Sequence, residues 1–585
     1  MKEKWLIESK KADFDHIAKK FNISPIVARV IRNRNIIGDE AIDEYLNGTL
    51  ESISSPWLFK DMDKAVDVLK IKLAEDSKIR IIGDYDVDGI CASHILHVAL
   101  EKLGANVDVE IPNRVEDGYG INERLIDSAK SAGVDTIITC DNGIAASKSI
   151  NHAKSLGMTV IVTDHHEIPF EDAEDGRVYT IPDADAVIDQ KQEDCAYPFK
   201  EVCGAVVAWQ FMRALYESMG KGLNELDNLL SYAAMATVCD VVDLIGENRT
   251  IVKAGLEKIH NTKDIGLSAL IEACQIDKKN IDGYHFGFIL GPCLNASGRL
   301  DTAKKAVELL NEKDESLAMS DAISLKKLND SRKEITENNT KEALAIAEGN
   351  EDKVLIIHLP ECHESIVGIV AGRVREAYNK PTIIVTDTED GMKGSGRSIE
   401  EYNMFEELSK VKDLFTKFGG HKMAAGLSLD SENFDEFKRR LNENCTLTED
   451  DLDLKVMIDV QLPFEYVTMN LVDELELIKP FGKSNSKPVF AEKEVKLHTM
   501  RIVGKNKNVV QMTLENKNHY KIKAVKFNDV SNFLDSLKEK VGTETFTKAV
   551  SGEPLDVEIM ITYYPTTNVY NGMSNIQLVV DRVQF

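Results

Sequence analysis

From residue 78 the chain repeats one pattern: a short β-branched apolar run, a turn, then a stretch at helical spacing. Lys78-Ile-Arg-Ile-Ile leads to a helical stretch from Gly89 to about Lys102, and Val107-Asp-Val-Glu-Ile leads to one over 121–132. Val134-Asp-Thr-Ile-Ile-Thr and Met158-Thr-Val-Ile-Val-Thr flank a third, over 144–156. Apolar runs of this length separated by helices predict βαβ units around a mainly parallel sheet. Sheets of that kind bind ligands in the crevice beyond the carboxyl ends of their strands. The residues that follow each run are therefore the ones to read for chemistry.

Those residues are carboxylates and imidazoles. Gly83-Asp-Tyr-Asp-Val-Asp-Gly places Asp84, Asp86 and Asp88 past the first run, and Cys140-Asp-Asn-Gly places Asp141 past the third. Asp164, His165 and His166 follow the next, and Val238-Cys-Asp-Val-Val-Asp offers Asp240, with Asp243 read as structural. Acids gathered at one edge repel each other unless a cation compensates them. Carboxylates with imidazole suit Mn²⁺ or Mg²⁺, and a central carboxylate such as Asp141 can bridge two metals about 4 Å apart. Asp-x-Asp-x-Asp-Gly also opens a calcium-binding EF-hand loop, but the twelfth position is Ile95, not Glu, and a strand precedes the motif, not a helix.

Residues 1–50 read as a small helical segment, 51–302 as the first α/β domain, and 303–350, rich in Ala, Leu, Lys and Glu, as connecting helices. A second α/β domain follows over 351–450, and 451–585 has the short alternating runs of an all-β module. The net charge of −27 argues against a protein that coats nucleic acid by bulk positive charge. Locally the balance reverses: residues 496–526 hold eight Lys/Arg and one acid, Glu515. That composition in a strand-rich tail predicts an oligonucleotide-binding (OB) barrel that follows a single strand. Nine dispersed cysteines without a CxxC pair read as reduced thiols, and with no apolar leader or spanning segment the expected compartment is the cytoplasm, away from membranes.

The four acidic motifs, in this order, resemble those of the DHH phosphoesterase superfamily. Lys393-Gly-Ser-Gly-Arg-Ser and Phe418-Gly-Gly-His-Lys-Met-Ala-Ala-Gly resemble the motifs of its associated DHHA1 domain. The order and the all-β tail fit the branch that degrades single-stranded DNA. The resemblance implies a parallel-sheet DHH domain and an α/β DHHA1 domain joined by long helices, followed by an OB-fold domain.

It further implies that Asp86 and Asp141, with Asp84 nearby, hold one divalent ion, and that Asp88, Asp141, His165 and Asp240 hold the other. His166 then faces the scissile phosphate. Arg114, Arg299, Ser395 and Arg397 form a pocket for a terminal 5′ phosphate, with Gly396 in its Gly-rich turn, His421 a phosphate ligand and Arg373 a backbone contact. The implied activity is 5′→3′ exonucleolysis of single-stranded DNA in recombination and repair, with release of 5′-mononucleotides. A RecQ-type helicase and a single-strand-binding protein are the implied partners of a monomer. Two other readings stand beside it: a DHH phosphodiesterase of small nucleotides, whose relatives generally lack the tail, and a non-catalytic scaffold, whose relatives have lost metal acids. One departure is Cys293, within Gly291-Pro-Cys-Leu-Asn-Ala-Ser-Gly-Arg-Leu, where family members often carry arginine.

Overall fold

The protein is described by a computed structural model covering residues 2–114, 117–173, 176–570 and 572–585. Its chain forms two compact units, one of residues 50–454 and one of residues 3–49 with 455–585.

In the first unit five parallel strands make the amino-terminal sheet, in the order Val107–Glu110, Ile79–Ile82, Thr136–Cys140, Thr159–Thr163, Ala186–Ile188. The three central strands are buried almost throughout, as expected of a parallel sheet covered on both faces. Ile79, Ile81, Ile138 and Ile161 pack on one side with the helices Val87–Lys102 and Gly204–Ser218. Ile82, Ile137, Val160 and Val162 pack on the other with Ile126 and Ile150. The 33-residue helix Glu315–Ala347 links this lobe to a second, mixed sheet in the order Phe415–His421, Ala424–Leu429, Gly391–Arg397, Thr382–Thr388, Leu355–His358. The helix Val367–Tyr378 packs against its strands Gly391–Arg397 and Thr382–Thr388.

In the second unit Phe490–Val503, Val509–Glu515, Lys521–Lys526, Met573–Gln584 and Val557–Tyr570 pair in turn, and the last pairs back with the first, closing a five-stranded barrel. The tail is not purely β: Met469–Leu477, Val530–Val541 and Thr543–Val550 are helices, the first two burying three apolar residues each and the third Ala549. The amino-terminal segment is not purely helical either, since Glu3–Ile7 is a strand. That segment shares a core with the barrel, where Val27, Ile31 and Tyr45 lie among Phe464, Leu475 and Phe490. Arg34 adds a buried bidentate ion pair to Asp459, at 2.6 and 3.0 Å.

Candidate active site

Register explains why acids far apart in sequence meet. Ile82 pairs with Thr139, Cys140 with Thr163 and Thr163 with Ile188, so the strands end in one row. Asp84, Asp141, Asp164 and Asp189 each lie one or two residues beyond those ends. Asp86 caps the Val87–Lys102 helix, its Oδ1 accepting from the amides of Asp88 and Gly89 at 2.9 and 3.1 Å. Asp88, in the first turn, accepts from the amides of Gly204 and Ala205 at 2.6 and 2.7 Å, so the start of a second helix fixes its carboxylate. Asp141 has φ 59°, a left-handed conformation that Asp tolerates better than most residues. Asn142 locks that turn by donating to the carbonyls of Ile82 and Cys140. Asp240 ends the helix Leu230–Cys239.

The side chains converge. His165 Nε2 lies 3.0 Å from Asp141, 3.5 Å from Asp88 and 3.9 Å from Asp240. Three sets, Asp84–Asp86–Asp141, Asp88–His165–Asp240 and Asp141–His165–His166, each bring one ligand atom per residue within 4.8 Å of the others. Burial, then the neighbouring carboxylates, pushes Asp84 up to about 8, Asp88 to about 6 and Asp240 to about 7, and raises Asp141 well above the carboxylate range. Burial and then the charge of His166 lower the pKa of His165, which favours the neutral imidazole that a metal needs. Buried Asp84 Oδ1 has no hydrogen-bond partner among the described residues. Crowded, desolvated carboxylates with an unspent oxygen and a neutral imidazole fit divalent cations with O/N preference.

His166 differs from its neighbour. Burial opposes its charge, but the 2.7 Å bond from Nδ1 to Asp164 and the surrounding acids outweigh that and raise its pKa to about 9. Its Nε2 lies 3.1 Å from the hydroxyl of Tyr119, which donates to the Asp141 carbonyl at 2.9 Å. The charged form of the imidazole is thus favoured at the rim of the acidic cluster.

A second group of side chains is cationic. Arg299 donates to the Ser365 carbonyl at 2.5 Å, and Arg114 lies over the Tyr85 ring at 4.6 Å. Arg397 donates to Ser395 Oγ at 3.0 Å and to the Gly396 carbonyl at 2.8 Å. Burial lowers Arg299 to about 10, with further lowering from Arg114, Arg332 and Arg397, so these guanidinium groups share one field. Arg373 adds its charge near Arg332. Gly368 makes room, since a Cβ there would come within 2.7 Å of Arg397 Nη2. Gly396 turns the other way, its Cβ position 3.1 Å from Met404 in the lobe's core. His421 is exposed at the end of the sheet's edge strand, one residue across from Ala424, which also pairs with Arg397.

Three residues in and around the two clusters escape sequence reasoning. Asp189 follows a strand of only three residues, and burial with Asp164 pushes it up to about 8; Val187-Ile-Asp repeats the run-then-acid pattern and could have flagged it. Tyr119 sits between glycines in the loop that carries Arg114, and nothing local marks its hydroxyl. Arg332 looks like any other helix cation until the lobes are in place.

Residues 78–237 match the model of the DHH family N-terminal domain, 351–446 the DHHA1 domain and 458–582 the RecJ OB domain. The chain is 32% identical to the single-stranded-DNA-specific exonuclease RecJ of Escherichia coli over 586 residues, 96% of each protein. It belongs to the RecJ family. RecJ of Bacillus subtilis is 36% identical over 524 residues, 88% of this chain, which spans 65% of that longer relative. Among solved structures, RecJ of Thermus thermophilus in complex with Mn²⁺ has a TM-score of 0.81 at 25% identity, covering 100% of this chain and 80% of that one. The Mg²⁺ complex of the same RecJ has a TM-score of 0.76.

In the barrel unit, the RecJ OB match coincides with a groove lined by Arg501, Tyr520, Lys521, Lys523, Asn575 and Gln577. The local positive excess is partly internal: Lys526 is buried and donates to the Asp581 carbonyl, Lys496 pairs with Asp556 and Lys517 with Glu494. No helix among the described residues is long and apolar enough to cross a membrane.

Proposed function

We propose that this chain is a 5′→3′ exonuclease specific for single-stranded DNA, releasing 5′-mononucleotides in recombination and repair. The observation that carries the proposal is the pairing, within one unit, of a buried acidic cluster with a cluster of guanidinium groups, in a chain of the RecJ family. Asp84, Asp86 and Asp141 are assigned to one divalent ion, and Asp88, Asp141, His165 and Asp240 to the other, as Mn²⁺ or Mg²⁺. Bound there, such ions lower the pKa of a water and neutralise charge on the phosphodiester.

The protein's own groups do the rest. His166, held charged by Asp164, donates to a phosphate oxygen as negative charge builds. Asp164 orients it, and also accepts from the Ile144 amide at 2.9 Å. Arg114, Arg299 and Arg397 with Ser395 hold the terminal 5′ phosphate, so cleavage begins at that end. Arg373 and His421 contact the backbone further along. The barrel groove, with Tyr520 to stack on a base and Arg501 and Lys523 to meet phosphates, favours long strands over small nucleotides. A monomer in the cytoplasm, working with a RecQ-type helicase and a single-strand-binding protein, completes the proposal.

The test compares 5′- and 3′-labelled strands, duplex and RNA, each with Mn²⁺ or Mg²⁺. Early release of the 5′ label as mononucleotide, with duplex spared, is expected. Prior release of the 3′ label, or equal attack on duplex, overturns it.

A further inference from the structure

Cys274 and Cys293 have their sulfurs 3.7 Å apart, in van der Waals contact. Cys274 ends the helix Ile265–Ala273 and is partly exposed; Cys293 is buried in the helix Gly291–Leu300, which also carries Arg299. Both helices pack against Glu315–Ala347, which supplies the rest of the environment. The Asn329 amide donates to Cys293 Sγ at 3.3 Å, while its oxygen accepts from Arg332 Nε at 3.1 Å. One buried side chain therefore ties the thiol pair to the guanidinium cluster.

The two thiols are unequal, and Cys293 is the one inclined to ionise. The bond between the two thiols, then that from Asn329 and the charge of Lys333, lower the Cys293 pKa against the effect of burial, and Asp330 opposes them weakly. The same bond, then burial, raise the Cys274 thiol against the charges of Lys326 and Lys333, so the shared proton stays on Cys274. The other seven cysteines have no second sulfur at this distance among the described residues.

We propose that Cys274 and Cys293 are a peroxide-oxidisable dithiol, and that its disulfide loosens the grip of the guanidinium cluster on a terminal phosphate. The sulfur of Cys293 attacks one peroxide oxygen, the O–O bond breaks, and the departing hydroxide takes the thiol proton as water, leaving a sulfenic acid. The sulfur of Cys274 then attacks that of Cys293, the S–O bond breaks, and hydroxide leaves with the second thiol proton as water. Two thiols and one peroxide become one disulfide and two waters. Drawing the sulfurs from contact to bonding distance pulls Cys293 away from Asn329, which releases the Asn329 amide that positions Arg332. The effect on phosphate binding rests on the function proposed above; the oxidation itself does not.

The experiment treats the full-length protein with hydrogen peroxide and maps peptides without reduction. A Cys274–Cys293 cross-link, lost in Cys274→Ser and in Cys293→Ser and reversed by dithiothreitol, is expected. Affinity for a 5′-phosphorylated oligonucleotide should fall roughly tenfold on oxidation, the scale of one lost charge-assisted contact, and recover on reduction, while Cys274→Ser binds alike with and without peroxide. Absence of the cross-link while other cysteines oxidise overturns the dithiol. A cross-link that leaves binding unchanged overturns its coupling to the cluster. Should the chain prove inactive as a nuclease, peptide mapping still decides the chemistry.

Discussion

Gly204→Ala tests how the acidic site is built, because Gly204 contacts two of its carboxylates at once. Its amide holds Asp88 at 2.6 Å, and a Cβ added there would lie 2.8 Å from Asp141 Cβ and 3.0 Å from Asp141 Cα. Carbon atoms rest about 3.5–4.0 Å apart, so the turn or the helix start must give by about 0.7 Å. Either movement separates Asp88 from Asp141. Overpacking of this kind costs about 1–3 kcal/mol, which lowers a melting temperature by only about 1 °C per kcal/mol in a unit of about 400 residues. Misplacing catalytic groups by about 1 Å costs on the order of 10²-fold in rate. The expected variant is therefore folded, melting about 1–4 °C lower, and about a hundredfold slower on a labelled single strand in saturating Mn²⁺. Gly287→Ala is the control, since a Cβ there meets only Val238 Cγ1, at 3.4 Å. A Gly204→Ala enzyme within threefold of the parent rate would refute the reasoning.

Two further outcomes follow from burial and charge. Asp84, Asp88 and Asp240 have folded pKa values of about 8, 6 and 7, above their ordinary range, so their contribution is present at low pH and lost as pH rises through 6–8. In chelator, the melting temperature of the acidic lobe should fall between pH 5.5 and 8.5, and Mn²⁺ should remove that slope; a flat or rising profile in chelator contradicts the assignment. Arg34→Met should destabilise the barrel unit by about 3–5 kcal/mol by leaving Asp459 buried and unpaired, while Asp459→Asn added to it recovers part of the loss in denaturant titrations. A loss below about 1 kcal/mol, the range of exposed pairs, would place that pair in solvent.

How much was legible in the sequence depended on the range of the interaction. The acids after Ile82, Cys140 and Thr163 could be read because a parallel sheet with matched register turns local patterns into one edge. Asp189 escaped because Ala186–Ile188 is too short to register as a strand, although it completes the same row. Arg332 and the Asn329 link to Cys293 depend on how the Glu315–Ala347 helix meets its neighbours, which periodicity does not encode. The pairing of residues 3–49 with the barrel was equally hidden, since Arg34 and Asp459 lie 425 positions apart. The Lys/Arg run at 496–526 overstated the free charge because its partners, Asp556 and Glu494, lie outside the window.

The central claim is that the crevice beyond the strand ends holds two divalent ions at once. Titration of the chelated protein with Mn²⁺, followed by electron paramagnetic resonance, reads this directly. Two equivalents bound with the spectrum of a magnetically coupled pair, collapsing to at most one uncoupled ion in Asp141→Ala, is the predicted result. A single isolated ion in the parent protein, or an unchanged spectrum in the variant, would contradict it.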